Sequence, residues 1–172
     1  MNSTVNDLIN RRSIRRYKET QISRQELDTV LEAGMYAPSA MNKQPAIMVA
    51  VQDKETIAVL SRINGEIRGI ENDQFYGAPT VIVVLADANN PNAEKDGSLV
   101  LGNLMNAAHA IGLGSCWINR AKETFETEEG KALLKKWGIE GEYMGIGNCI
   151  LGYPDEEPKA KPRKENYVYY IL

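Results

Sequence analysis

Apolar positions recur along this chain with two periods, and the alternation between them sketches its elements. Val5, Leu8 and Ile9 open with a short helical spacing. Leu27, Val30, Leu31 and Met35 repeat that spacing after Ser23-Arg24-Gln25-Glu26, the pattern of a capping box. In such a box the Ser23 hydroxyl accepts from the Glu26 amide, and the Glu26 carboxylate accepts from the Ser23 amide. Ile22 and Leu27 stand where a hydrophobic staple would be. Pro38 disfavours helix at Ala37, so this helix should stop near Tyr36. Ile47 to Val51 reads as a short strand, and Ile57, Leu60 and Ile63 line a following helix. Pro79 to Leu85, rich in Val and Ile, has the pattern of a strand buried on both faces. Asn89 to Asn92 is a turn.

From about Lys95 to Ile111 runs the most apolar helix. Leu99, Val100, Leu101, Leu104, Met105, Ala107, Ala108 and Ile111 nearly encircle it, which predicts cover on most sides, in a core or at a subunit interface. Cys116 to Ile118 reads as extended. Leu133, Leu134 and Trp137 mark another helix ended by Gly138. Tyr143 to Leu151 reads as a strand loosened by Gly145 and Gly147. Beyond Pro154 the chain is rich in charge and proline, yet Tyr167 to Leu172 is almost wholly aromatic and aliphatic. Such an end should dock, most simply as a strand added to a sheet edge. There is no internal repeat or domain boundary, so residues 1–172 read as one domain with a C-terminal arm over 154–172.

A chain of 172 residues can bury a sizeable core. Its 20 basic and 23 acidic side chains give a net charge of −3, which argues against a general nucleic-acid binder. No apolar run is long enough to span a bilayer, and no signal-like core opens the chain, which predicts a cytoplasmic protein. Cys116 and Cys149 form no CxxC, and His109 is the only histidine, so no zinc set is present. Both cysteines should pack as small apolar residues. His109 reads as a packed side chain rather than a catalyst.

Against this acidic balance, two basic concentrations stand out. Arg11-Arg12-Ser13-Ile14-Arg15-Arg16 lies near the start, and Lys159, Lys161, Arg163 and Lys164 lie near the end. Guanidinium forks fit phosphate oxygens, and a serine hydroxyl among them adds a short neutral donor. The same run also suits a solvated basic turn. Between Ala37-Pro38 and Pro45, the residues Ser39, Asn42 and Gln44 present hydroxyl and amide groups that could read a heteroaromatic edge. A capped turn is the other reading. Gly112-Leu113-Gly114 follows a helix and lacks a third glycine, the wrong context for a dinucleotide fingerprint. These glycines should end the helix and turn the chain.

Together these pieces resemble the nitroreductase family of FMN-dependent oxidoreductases. The resemblance runs through Arg11-Arg12-Ser13-Ile14-Arg15, Ala37-Pro38-Ser39 leading to Asn42 and Gln44-Pro45, and the apolar helix entering Gly112-Leu113-Gly114-Ser115-Cys116-Trp117-Ile118. It continues with Gly152-Tyr153-Pro154 leading to Lys161-Pro162-Arg163-Lys164. It implies an α+β fold, a central mostly antiparallel sheet flanked by helices, in a domain-swapped homodimer exchanging C-terminal strands. FMN would lie at the interface. Arg11, Arg12 and Ser13 would hold its phosphate and ribityl chain, joined by Lys161 and Arg163. Arg15 would approach the N1/C2 carbonyl end of the ring. Pro38, Ser39 and Asn42 would come from the other subunit, with Gln44 beside them. Asn64, after the helix containing Ile63, would reach the ring edge, and the backbone of Ser115, Cys116, Trp117 and Ile118 would pass the reactive side.

The implied chemistry is hydride transfer from NAD(P)H to FMN N5, then to a small-molecule acceptor such as a nitroaromatic or quinone, in a ping-pong cycle. No metal and no obligatory acid or base is needed, and a cation at Arg15 would stabilise the reduced ring. A storage or delivery protein for FMN is the alternative. Two departures from the family matter. Ala46 stands where many members have an aromatic residue, and only about eight residues (Ala88 to Lys95) fill the gap where longer members insert a lid.

Overall fold

The computed structural model describes residues 2–172. Its elements are α1 (Ser3–Asn10), α2 (Arg24–Met35), β1 (Ala46–Val51), α3 (Lys54–Arg68), β2 (Thr80–Asp87) and α4 (Ala93–Ala110). There follow β3 (Gly114–Ile118), α5 (Ala121–Glu126), α6 (Glu128–Lys136) and β4 (Tyr143–Gly152). The short helix α5 carries too few apolar positions to show a period, which is why the sequence pattern passes over it.

The capping box is formed as predicted. Ser23 Oγ accepts from Glu26 N at 3.2 Å, and Glu26 Oε2 accepts from Ser23 N at 2.7 Å. The Ser23 hydroxyl also donates to Glu26 Oε2 at 2.6 Å, and this bond, followed by those from the Ser23 amide and the Tyr153 hydroxyl, holds the Glu26 carboxyl below the usual carboxylate range. Ser23→Ala removes one capping acceptor and should lower stability by about 1 kcal/mol. Chemical denaturation would show a shifted midpoint with an unchanged slope; an unmoved midpoint would remove the box from the stabilising contacts.

The four strands form one sheet in the order β1-β2-β4-β3, each pair antiparallel. β2 is buried from Thr80 to Ala86, as a central strand covered on both faces should be. Alternation sends Ile82 and Val84 into a core with Leu27, Val30, Leu101 and Leu104 from α2 and α4. Val81, Val83 and Leu85 face Leu60, Phe125 and Leu133 from α3, α5 and α6. Cys116 and Cys149 are buried and free, and burial pushes the Cys149 thiol up to about 12.

β4 owes its shape to its glycines. Pairing steps from Val84 opposite Gly147 to Leu85 opposite Gly145, leaving Ile146 as the extra residue of a bulge. A Cβ on Gly145 would lie 2.2 Å from the Ala121 carbonyl oxygen, so α5 can pack here only against a bare backbone. Ile146 turns instead onto Gly97 of α4, where a Cβ would lie 2.6 Å from its Cγ1.

Two apolar surfaces stay open within one chain. α4 is not covered all round: Ala93, Val100, Leu101, Leu104 and Ala108 are buried, but Leu99 is 46% exposed and a Cβ on Gly102 would meet open space. One stripe of the helix is therefore open within a single chain. The arm does not dock on its own body either. Past the start of the arm no regular element forms, and Tyr169, Tyr170 and Ile171 are 79, 79 and 95% exposed. No described helix is long and apolar enough to cross a membrane.

Candidate functional site

The first part of the site is the segment that leaves α1. The Arg11 amide donates to Asp7 O at 2.9 Å and closes the helix. The chain then runs beside β3, with Ser13 bridged in parallel to Ser115 and Ile14 N donating to Ser115 O at 3.0 Å. Lys18 N donates to Tyr153 O, and Asp155 N to Arg16 O, each at 2.9 Å. Residues 13–18 are thus clasped between the edge of β3 and the root of the arm. The Arg15 amide donates to the Glu156 carboxylate, and the Tyr17 hydroxyl donates to Ile14 O at 2.6 Å.

This clasp divides the cationic run. Arg12 donates from Nη1 to the carbonyls of Ile9 and Arg11 at 2.8 and 2.7 Å, tying down the end of α1. Arg12 and Ile14 line a cavity of about 480 Å³ with His109 and Glu156, whereas Arg11, Ser13 and Arg15 are absent from its wall. Alternation along extended backbone thus sets Arg12 and Ile14 on this wall, which Ser115 also lines, apart from Arg11, Ser13 and Arg15. Arg11 is the informative member. Its Nη1 is buried with no hydrogen-bond partner, and the guanidinium has no ion pair among the described residues. Ser115 Oγ, beside the Ser13 bridge, is also buried without a partner.

The second part is the loop between α2 and β1. A single 3-10 turn, Ala40–Asn42, sits in it. Met41, Asn42 and Gln44 all have positive φ, 54°, 54° and 47°, which non-glycine residues adopt only when held. Ser39 Oγ accepts from Gln44 N at 3.0 Å, and Gln44 Nε2 donates to Asn42 Oδ1 at 2.9 Å. Pro38, Ser39 and Gln44 line a cavity of about 250 Å³ with Asp96 and Val100 of α4. Asp96 was not singled out from the sequence. Its signal was there: a carboxylate in phase, at i and i+4, with the buried Val100, Leu104 and Ala108.

The third part is the end of β3. The Cys116 side chain points into the core under α3, so only its backbone can serve a ligand. Trp117 Nε1 is buried without a partner and lies against Gly147, where a Cβ would come within 2.6 Å. Ile118 packs on the α3 side of the sheet. Past it Arg120 takes a left-handed conformation, φ 75°. Asn64 is not beyond its helix but inside α3, fully buried, donating from Nδ2 to Asn119 O at 2.7 Å. Its Oδ1 has no partner. Its first role is to brace the turn after β3. Lys161 and Arg163 stay exposed on the arm, and among the described residues Arg163 donates only to Lys161 O.

A larger cavity, about 1030 Å³, lies elsewhere, between α3 and the loop 69–79, and includes none of the predicted residues. One chain therefore presents separate pieces of a site rather than a closed pocket.

The sequence model of the Nitroreductase family matches residues 8–159, which includes the cationic segment, the polar loop, β3 and the root of the arm. The chain belongs to the nitroreductase family.

Its relatives agree. A protein of Archaeoglobus fulgidus, named provisionally as an NADH dehydrogenase/NAD(P)H nitroreductase, is 32% identical over 166 residues, covering 91% of this chain and 88% of its own. An FMN reductase [NAD(P)H] of Bacillus subtilis is 24% identical, over 95% of this chain and 70% of its own. Among solved structures, a nitroreductase with bound FMN from Bacteroides fragilis superposes with a TM-score of 0.92 at 28% identity, over the whole of both chains. The predicted nitroreductase fold, an antiparallel sheet flanked by helices, is the one observed.

Proposed function

We propose that this chain is an NAD(P)H-dependent oxidoreductase that holds FMN at the interface of a homodimer and reduces nitroaromatics, quinones or related electrophiles. The observation that carries the reading is Arg11, half-buried with Nη1 buried and unpartnered, two residues before Ser13, whose bridge partner Ser115 also has an unpartnered hydroxyl, in a nitroreductase frame. A guanidinium N–H buried without an acceptor is costly, and a phosphate oxygen would supply one. The FMN-bound Bacteroides fragilis neighbour and the FMN reductase relative support the same ligand. The residues fit it.

Arg11 and Ser13 would hold the phosphate, with Lys161 and Arg163 delivered by the arm. Arg15, exposed and without an ion pair among the described residues, would set a cation beside the ring. The backbone from Ser115 to Ile118 would flank the ring. Bound FMN supplies a two-electron acceptor at N5, reduced by NAD(P)H and reoxidised by the electrophile in turn.

The dimer completes the site. α4 has 18 residues, about 27 Å, with the polar loop packed near its start and Gly112 to Ser115 following its end. A two-fold contact along its open stripe, the helices crossing antiparallel, would bring the loop of one subunit, with Pro38, Ser39, Asn42 and Gln44, to the cationic segment of the other. Only residues 88–92 separate β2 from α4, so no lid closes over the acceptor side. Two buried, free thiols fit a reducing cytoplasm.

The purified protein should be yellow and release FMN rather than FAD by mass analysis. Under anaerobic conditions NADH or NADPH should bleach it, and a nitroaromatic should restore the colour. Released FAD would defeat the cofactor assignment. FMN that neither nicotinamide bleaches would favour storage or delivery of FMN.

A further inference from the structure

We infer that Asp96 is a positioning residue: it holds the 38–45 loop in the strained shape that presents Ser39, Asn42 and Gln44 to a ligand across the subunit boundary. The inference rests on the proposed flavin site and assigns that site a residue from a different part of the chain.

Asp96 lies in the first turn of α4, where a helix favours a carboxylate. It does not cap its own helix. Its Oδ1 accepts instead from the backbone N–H of Ala40 at 3.1 Å, across 56 residues. The side chain is 4% exposed, and Oδ2 has no partner within the chain. A buried carboxylate with one oxygen unserved is a poor core residue, so stability alone does not explain it. Gly97 beside it lets Ile146 of β4 press onto α4, which fixes the height of this turn.

The loop needs such an anchor. Three of the four residues from Met41 to Gln44 have left-handed backbone, and Met41 is 87% exposed at the tip. Strain of this kind persists only where surrounding contacts over-determine it. The loop's other hydrogen bonds between residues 39 and 44 are internal: Asn42 N to Ser39 O, Lys43 N to Ala40 O, Gln44 N to Ser39 Oγ, and Gln44 Nε2 to Asn42 Oδ1. Among the described residues, Asp96 is the only side chain outside this segment that bonds to it. An internal set keeps its own shape but cannot fix where the loop stands relative to α4. Asp96 does both, since it grips the first residue of the 3-10 turn.

The test compares Asp96→Ala with Asp96→Asn in the full-length protein. The amide oxygen of asparagine can still accept from Ala40, whereas alanine cannot. Asp96→Ala should weaken FMN binding by about tenfold or more in a fluorescence-quenching titration, and should speed amide exchange at Ala40 and Gln44 in the flavin-free protein. Asp96→Asn should keep both within about threefold of the wild type. Far-ultraviolet circular dichroism and dimer mass should be unchanged in both variants. If Asp96→Ala binds FMN like the wild type, or if its exchange at Ala40 is unaltered, the inference is overturned. If the two variants weaken FMN binding equally, the residue acts by charge and not by holding the loop, which also overturns it. Failure of the wild type itself to bind FMN would instead defeat the flavin reading.

Discussion

Replacing Arg11 by alanine should raise the dissociation constant for FMN by about 10- to 150-fold, the equivalent of roughly 1.5–3 kcal/mol for a charge-assisted hydrogen bond. The sign of the accompanying stability change is the sharper part of this expectation. Without a ligand, Arg11 keeps Nη1 buried and unpartnered. Truncation removes that uncompensated polar group, so the flavin-free variant should melt no lower than the flavin-free wild type. With FMN in excess, the wild type should gain stability by mass action and the variant should gain much less. Thermal unfolding with and without FMN, beside a flavin titration, reads both. Unchanged affinity would take Arg11 out of the phosphate site. Arg12→Ala should behave the other way, because Arg12 ties the last carbonyls of α1. It should cost stability while leaving flavin affinity nearly unaltered.

Deleting residues 166–172 should dissociate the dimer and strip the flavin together. The exposed residues Tyr167, Val168, Tyr169, Tyr170 and Ile171 present a continuous apolar ribbon that one chain leaves in water. As a strand, alternate side chains would be buried; two or three of them at about 1.5–3 kcal/mol each give roughly 3–9 kcal/mol per arm before ordering costs. Even half of that would shift the dimer dissociation constant by about tenfold or more. The sheet offers one free edge for the purpose. β3 is already flanked by Ser13, whereas β1, from Ala46 to Val51, has no outer neighbour among the described residues. We therefore expect the arm to pair with the partner's β1, which follows directly on the loop of Ser39 and Asn42. That course would carry Lys161 and Arg163 past a flavin phosphate on the way. Sedimentation or light scattering at micromolar concentration, with the visible spectrum, gives the answer. A truncated protein that stays dimeric and yellow with an unchanged melting temperature would refute the exchange.

Read without its fold, the chain already shows where its helices start and stop, because those signals are local. Ser23 and Glu26 are three residues apart, Pro38 acts on its neighbour, and Gly112, with φ 84°, turns the chain two residues after α4 ends. The strand at β2 shows through its unbroken run of Val and Ile, and the family shows through the order of short motifs. What stayed hidden depends on which elements meet. Asp96 and Ala40 are 56 residues apart, and only the packing of α2 and β1 on α4 makes them partners. Asn64 reads like an end-of-helix amide until α3 continues past it and turns it onto Asn119. Gly145 and Gly147 look like weak points in a strand, yet they let α5 and Trp117 close in on β4. The cationic run reads as one cluster, and only its docking along β3 separates Arg11 from Arg12. Periodicity and capping are properties of a few neighbouring residues and survive in any fold. Burial, partners and facing direction arise when distant segments close on one another, and there only the tertiary structure decides.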